Sequence, residues 1–469
     1  MKSTPWVLTL VLLLLGGGSL GTASRVRAEE QNAPPGEAET PSGDQADKGD
    51  VQKRLEELEQ KLRILERQKE VEQEVSAGKA KDAATVSAGK DGFVIKSADG
   101  AYQLKIRALV QSDGRFWSED RARPSTDTFE LRRARPIIEG TAGKFFDFRV
   151  QPDFGEGKTV LFDAYVDWRF ASWIRLRAGK FKPPLGLERL QSASETAFVE
   201  RALPTNLVPN RDVGLQVYGD VLDGVFSYAL GLFNGVPDGA NVDLDTNDSK
   251  EVATRVFFQP FKKSSLLSLQ NLGFGVGASF GHSVGTAAVT SLPSYKTPGQ
   301  QNFFSYRITT AADGRRDRLS PQAYWYVGRF GLLAEQVQTS QDVRTGTSRE
   351  DMENTAWQVT GTFALTDDRP SYRGIAPKRP FDPASHAWGA FEIVARAGAL
   401  RVDKAAFPVF ADPAAAPAVA RERGLGVNWY LNRNVRLMLD YIDTRFNGGD
   451  AAGDREDEKV LINRLQIAF

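Results

Sequence analysis

From residue 93 to the C-terminus, apolar and polar residues alternate in blocks of about nine to eleven positions. The last block, V-L-I-N-R-L-Q-I-A-F, places Leu461, Asn463, Leu465 and Ile467 on one side and Ile462, Arg464, Gln466 and Ala468 on the other, and stops at Phe469. Period-two alternation predicts a strand with one apolar and one polar face. Tyr102, Leu104, Ile106, Ala108 and Val110 repeat the pattern, as do Phe146, Phe148, Val150, Pro152 and Phe154. So do Phe162, Ala164, Val166, Trp168 and Phe170, then Ile174, Leu176 and Ala178. Further apolar faces begin at Phe226, Leu272, Trp357, Phe391, Leu425 and Val435. Strands of this length cross a bilayer at a tilt of about 45°.

Some joins are short, such as Asp223-Gly224 and Asn432-Arg433-Asn434, while 234–251, 281–301, 338–353, 366–387 and 402–423 read as long polar loops. Short turns at one end and long loops at the other are the anatomy of a membrane barrel, which needs an even strand count. Tyr324, Trp325, Tyr326, Trp388, Trp429 and Tyr430 sit near strand ends, where interfacial girdles form. A soluble sandwich also alternates, but its polar-side residues here would include Lys105/Arg107, Asp147/Arg149, Asp163/Asp167 and Arg175/Arg177. Such charges in a dry core carry a large desolvation cost; they need water on their side. The expected fold class is all-β: a transmembrane antiparallel β-barrel of about 16 strands, preceded by a short periplasmic helix or coiled coil.

Ahead of the barrel, Lys2, the apolar run Trp6–Leu15 and Val26-Arg27-Ala28 predict a cleaved signal peptide over 1–28. Residues 29–50 read as a disordered linker. Val51, Leu55, Leu58, Leu62 and Leu65 form a heptad seam, predicting a short coiled coil over 51–75. A second linker over 76–92 then leads into the barrel, 93–469. Without Lys2, Arg25 and Arg27 the chain has 57 basic and 60 acidic residues, so overall charge does not mark a nucleic-acid binder. It has no cysteine and only two histidines, His282 and His386, which removes thiolate chemistry and leaves little for histidine chemistry. No cofactor or metal is implied.

Where the charges sit matters more. Lys105, Arg107, Arg149, Arg175, Arg177, Arg255, Arg396, Arg436 and Arg464 fall on polar faces, as do Arg133 and Arg135 if Ala134, Pro136 and Ile138 face lipid. Arginine is always ionised, and rings of basic side chains make a pore prefer anions. The same residues could instead brace the wall by pairing with Asp147, Asp153, Asp163, Asp167 and Asp440. Between Phe181 and Arg211 the alternation fails for too long to be an ordinary hairpin; this segment either folds into the lumen or forms a long surface loop.

Several runs resemble the phosphate-selective porin O and P family of Gram-negative outer membranes: L-R-R-A-R at 131–135, Glu139-Gly140, D-A-Y-V at 163–166, G-K-F-K-P-P-L-G-L-E at 179–188, Ser192, Phe198, Glu200-Arg201 and R-D-V-G-L-Q at 211–216. The resemblance implies a sixteen-stranded, homotrimeric porin in outer-membrane lipid, passing small anionic solutes. It implies that residues 182–210 contain an inward-folded third loop, with Lys182, Arg189, Ser194, Glu195, Glu200 and Arg201 as its candidate constriction residues. Phosphate-selective members carry a lysine where matching places Ser194, and Glu195 follows. That departure weakens phosphate specificity and leaves general anion passage.

Two other functions would draw on parts of this chain. A lipid-hydrolysing enzyme has only G277-A-S279-F-G281 beside His282, in a strand instead of a strand-to-helix elbow. An envelope tether would use the coiled coil, with the barrel as anchor. Asp243, Asp245 and Asn247 begin like a calcium loop, but Asp248 and Thr254 stand where Gly and Glu are needed.

Overall fold

In the computed structural model the alternating blocks become sixteen strands of one closed barrel. The structure describes residues 46–469 apart from 90, 91 and 246. The expected signal peptide and most of the first linker lie outside the described residues. The strands are β1 (Gln103–Ser118), β2 (Thr128–Ala142), β3 (Phe146–Asp153), β4 (Val160–Ala171), β5 (Ile174–Phe181), β6 (Asp212–Val221), β7 (Phe226–Phe233) and β8 (Glu251–Phe258). They continue with β9 (Leu272–Val284), β10 (Ala311–Val327), β11 (Phe330–Thr345), β12 (Ser348–Ala364), β13 (Ala390–Arg401), β14 (Pro417–Tyr430), β15 (Val435–Asp450) and β16 (Glu458–Ala468).

Each strand pairs antiparallel with the next, and β16 closes on β1 from Lys459↔Ser118 to Ala468↔Leu109. Phe469 completes the seam by exchanging two 3.0 Å backbone hydrogen bonds with Ala108. Closure leaves no lipid-facing strand edge, which a membrane would not tolerate. The outward faces are those the alternation predicts: Ile106, Val110, Val150, Val166, Leu230, Phe274, Val359, Leu425, Leu439, Leu461, Leu465 and Ile467 are all exposed.

Five expectations change. The segment 338–353 is no loop: β11 and β12 pair through it, from Gln338↔Thr355 to Thr345↔Ser348. Its outward residues are polar because they stand above the apolar band, while inward Thr339, Gln341, Val343 and Met352 are buried. Residues 365–389 join β12 to β13 at the end of the barrel that carries the short turns, opposite to the expected side. Of the six girdle aromatics, Trp325, Trp388 and Trp429 belong to the outer surface, whereas Tyr326 and Tyr430 are buried and Tyr324 stacks inside on Tyr372. Phe162 turns inward, under the guanidinium groups of Arg135 and Arg211, because a bulge between Gln151 and Pro152 shifts the register of β4. The N-terminal helix spans Ala46–Asp82, overrunning 51–75 at both ends, since its Lys, Glu and Ala residues propagate a helix well.

Along that helix Val51, Leu55, Leu58, Leu62 and Leu65 are exposed. In the stretch expected as the second linker, Thr85–Gly89 pairs with Gly92–Lys96, which adds to β1 through Phe93↔Ile106.

Candidate functional site

The β5 strand ends at Lys182-Pro183-Pro184, and neither proline can donate to a ladder. Gly186 then turns the chain at a φ of 72°. A Cβ there would lie 3.1 Å from both Val208 and Arg189, so the turn requires glycine. The segment from Lys182 to Arg211 folds into the barrel, and Leu185, Leu187, Phe198, Val199, Leu203, Leu207 and Val208 are completely buried.

An irregular segment inside a barrel must satisfy its backbone by other means. Wall side chains do this. Glu335 on β11 accepts from Leu187 N at 2.6 Å, and Asp440 on β15 accepts from Val199 N at 2.6 Å. Glu422 on β14 accepts from Leu203 N at 3.3 Å, and Asn428 donates to Ala197 O at 2.9 Å. Gln466 on β16 and Gln111 on β1 donate to Ser194 O and Ala193 O. The loop is therefore fastened mainly to the β11–β16 wall and, across the seam, to β1 and β2, and the open lumen runs along the rest of β1–β8.

That placement divides the predicted basic column. Arg396, Arg436 and Arg464 do not face open lumen; they lie beneath the loop and donate to Glu200 O, Thr196 O and Val199 O. Arg464 also forks onto Asp113 through two 2.6 Å bonds. These three are braces. Arg107, Arg135, Arg149, Arg177 and Arg255 border the larger lumen cavity, and Arg133 borders the smaller one. Lys105 and Arg175, near the turn end, border neither.

Four arginines, only Arg464 among them a brace, converge on Glu200. Its carboxylate accepts from Arg132 at 2.6 Å, Arg115 at 3.0 Å and Arg464 at 3.2 Å, with Arg133 at 3.6 Å. Burial alone would raise this carboxyl, but Arg132, Arg133, Arg464 and Arg115 outweigh it and hold the group well below its usual range. Arg132 was missed by strict alternation. It joins Arg133 inside because a bulge between Gln111 and Ser112 adds a residue to β2.

Two cavities remain along the β1–β8 wall, of about 600 Å³ toward the turn end and about 450 Å³ toward the loop end. Arg135, Lys182, Ala193 and Arg211 border both and frame the passage between them. The larger cavity has eight cationic side chains against three carboxylates; the smaller has eight against one. Some of the wall cations are paired: Arg107 with Glu139 at 3.2 Å, Arg135 with Asp153 at 2.7 Å, Arg177 with Asp167 at 2.7 Å and Arg211 with Asp163 at 2.6 Å. Among the described residues the loop cations form no ion pair. Lys182 donates to Leu190 O and Gln191 O, Arg189 to Thr205 O and Asn210, and Arg201 to Glu188 O and Gln191 O. Burial, then Arg211 and Arg201, hold the Lys182 ammonium well below its ordinary value.

Ser194 and Glu195 face the larger cavity, where Ser194 Oγ lies 2.8 Å from Ser192 Oγ. Sequence reasoning missed Arg211 and Arg373 as lining residues. Arg211 stands at the far end of the broken alternation and was legible there. Arg373 was not, because it reaches the lumen on 365–389, where Tyr372 donates to Leu187 O at 2.6 Å and stacks on Tyr324 at 5.2 Å.

The family model of the phosphate-selective porins O and P matches residues 103–469, the whole barrel. The chain belongs to that family. As an outer-membrane porin it is similar to Porin O of Pseudomonas aeruginosa, with 22% identity over 425 residues that cover 81% of this chain and 91% of that protein. Among solved structures, the porin barrel resembles the outer-membrane channel DcaP of Acinetobacter baumannii, with a TM-score of 0.51 and 11% identity over 80% of this chain and 99% of that one. It is also similar to OmpT of Vibrio cholerae, at a TM-score of 0.49 and 10% identity over 79% and 98% of the two chains.

Proposed function

We propose that this porin passes small anions by diffusion through the passage framed by Arg135, Lys182 and Arg211. The observation that carries this reading is the excess of cations around both cavities, with Lys182, Arg189 and Arg201 hydrogen-bonded to carbonyl and amide oxygens and in no ion pair among the described residues. A narrow, positively lined channel concentrates anions and repels cations. Under a KCl gradient in a planar bilayer, the reversal potential is expected to have the sign of chloride permeation. Cation selectivity or absent conductance overturns the reading.

The substrate class is general small anions, with no strict demand for phosphate, because Ser194 and Glu195 place a hydroxyl and an acid on the cavity wall. Ser194→Lys is expected to strengthen block of chloride current by phosphate about tenfold, the effect of roughly 1.4 kcal/mol from one added partly screened charge. Unchanged block removes Ser194 from the pathway.

The reading includes export by the signal peptide over 1–28 and assembly as a homotrimer in outer-membrane lipid. The exposed seam Val51, Leu55, Leu58, Leu62 and Leu65 supports a coiled coil between copies. A channel is favoured over a hydrolase because Ser279 points inward, bound by Arg318 at 3.2 Å, while His282 lies three positions on and faces the opposite side of β9.

A further inference from the structure

On the outer surface, three arginines stand together above the apolar band at the loop end of β13 and β14. Arg401, Arg421 and Arg423 all project outward, in register with the apolar positions Ala399, Ala397, Ile393, Leu425 and Val427 of the same faces. Several other outward cations of this rim are paired. Arg315 pairs with Asp351 at 3.1 Å and Asp317 at 3.4 Å, Arg445 with Asp443 at 3.0 Å, and Lys459 with Glu119. Among the described residues, Arg401, Arg421 and Arg423 have no carboxylate partner; Arg421 donates only to Asn447.

The neighbouring acids do not relieve them. Asp443 stands opposite Arg423 in the ladder, but Arg445 holds it, and Glu353 on β12 makes no ion pair with Arg401. Arg421 stands directly opposite Arg445, whose own charge is taken up by Asp443 and Asp457. Beside the three guanidinium groups, an outward groove of about 440 Å³ runs between Trp357 of β12 and β14, lined by Ala397 and Ala399; Glu422, which also borders it, points inward to Arg396. Its head is cationic and its floor is apolar.

We infer that this groove binds a phosphorylated, acylated lipid of the outer leaflet, the lipopolysaccharide of the Gram-negative surface. The lipid's phosphates would meet Arg401, Arg421 and Arg423, and an acyl chain would lie along Ala397, Ala399 and Trp357. Guanidinium forks match phosphate oxygens bidentately, and basic clusters at the membrane boundary hold anionic headgroups. The longer loops mark this end of the barrel as extracellular, which puts the cluster at the outer leaflet.

The test is native mass spectrometry of the full chain in detergent, titrated with diphosphorylated lipid A or with dephosphorylated lipid A. The wild-type protein is expected to hold the diphosphorylated form about a hundredfold more tightly, from three cations each attracted to anionic lipid. R401Q/R421Q/R423Q is expected to bind both forms as weakly as the wild type binds the dephosphorylated one. R315Q, which removes a paired cation away from the cluster, is expected to bind as the wild type does. Equal wild-type binding of the two lipids overturns the inference without recourse to a variant, and so does full retention of binding by the triple variant.

Discussion

Replacing Glu200 by glutamine is expected to release the constriction loop well before the barrel melts. The carboxylate is the shared anion of Arg115, Arg132 and Arg464, all but the second nearly inaccessible to water. Removing one member of a buried charge cluster costs roughly 3–5 kcal/mol, because the remaining charges stay buried without compensation. The barrel ladder does not depend on this residue, so the loss falls on the attachment of 182–211. Limited proteolysis should cut the loop in Glu200→Gln and spare it in the wild type, while β-sheet circular dichroism stays unchanged. Single-channel current should become unsteady. Because Arg132, Arg133, Arg464 and Arg115 hold the carboxyl well below its usual range, its contribution is fully present above the ordinary glutamate pKa and is lost only as pH falls through the depressed value. Acid of about pH 4 should therefore leave the wild-type loop in place. A loop that stays protected in Glu200→Gln removes Glu200 as the anchor.

The second large effect is expected at the passage itself. Lys182→Glu combined with Arg211→Glu reverses two of the three charged groups that frame it, and should turn anion preference into cation preference. At an effective dielectric near 20, a unit charge about 5 Å from a permeating ion contributes roughly 3 kcal/mol before screening. A shift in the permeability ratio of at least about a hundredfold is therefore expected, read as a change in sign of the reversal potential. Arg396→Gln, by contrast, should leave that potential in place and increase cleavage of the loop, since Arg396 braces Glu200 O and Glu422 from beneath. The lysine also gives a pH signature. Its folded pKa lies well below the ordinary lysine value, so its charge is present at low pH and is lost as pH rises through the depressed value. Anion preference should weaken over that range in the wild type and stay flat in Lys182→Met. Selectivity that ignores both changes would place the ion path elsewhere.

The sequence by itself determined the wall. Period-two alternation settles which side of a strand meets lipid, since a shift of one residue would turn every apolar residue into the water, and Leu461, Leu465 and Ile467 lie outward as expected. It also marked where the wall breaks, from Phe181 to Arg211. What alternation could not express was a bulge. One extra residue reverses the facing of its neighbours, which is how Phe162 came inside and Arg132 joined Arg133.

Only the tertiary structure decided which inward arginines meet the permeating ion. Arg396, Arg436 and Arg464 have the same local pattern as Arg107, Arg135 and Arg149, and no property of their own strands separates the two groups. The difference lies in which half of the wall the loop covers. Wall carboxylates and amides on β11–β16, from Glu335 to Gln466, accept or donate to its backbone, so arginines on that side become braces while those along β1–β8 keep their water. Long-range contacts of this kind leave no periodic trace in the chain. Arg373 entered the lumen on a turn-side segment for the same reason: Tyr372 finds its partners, Leu187 and Tyr324, far away in sequence.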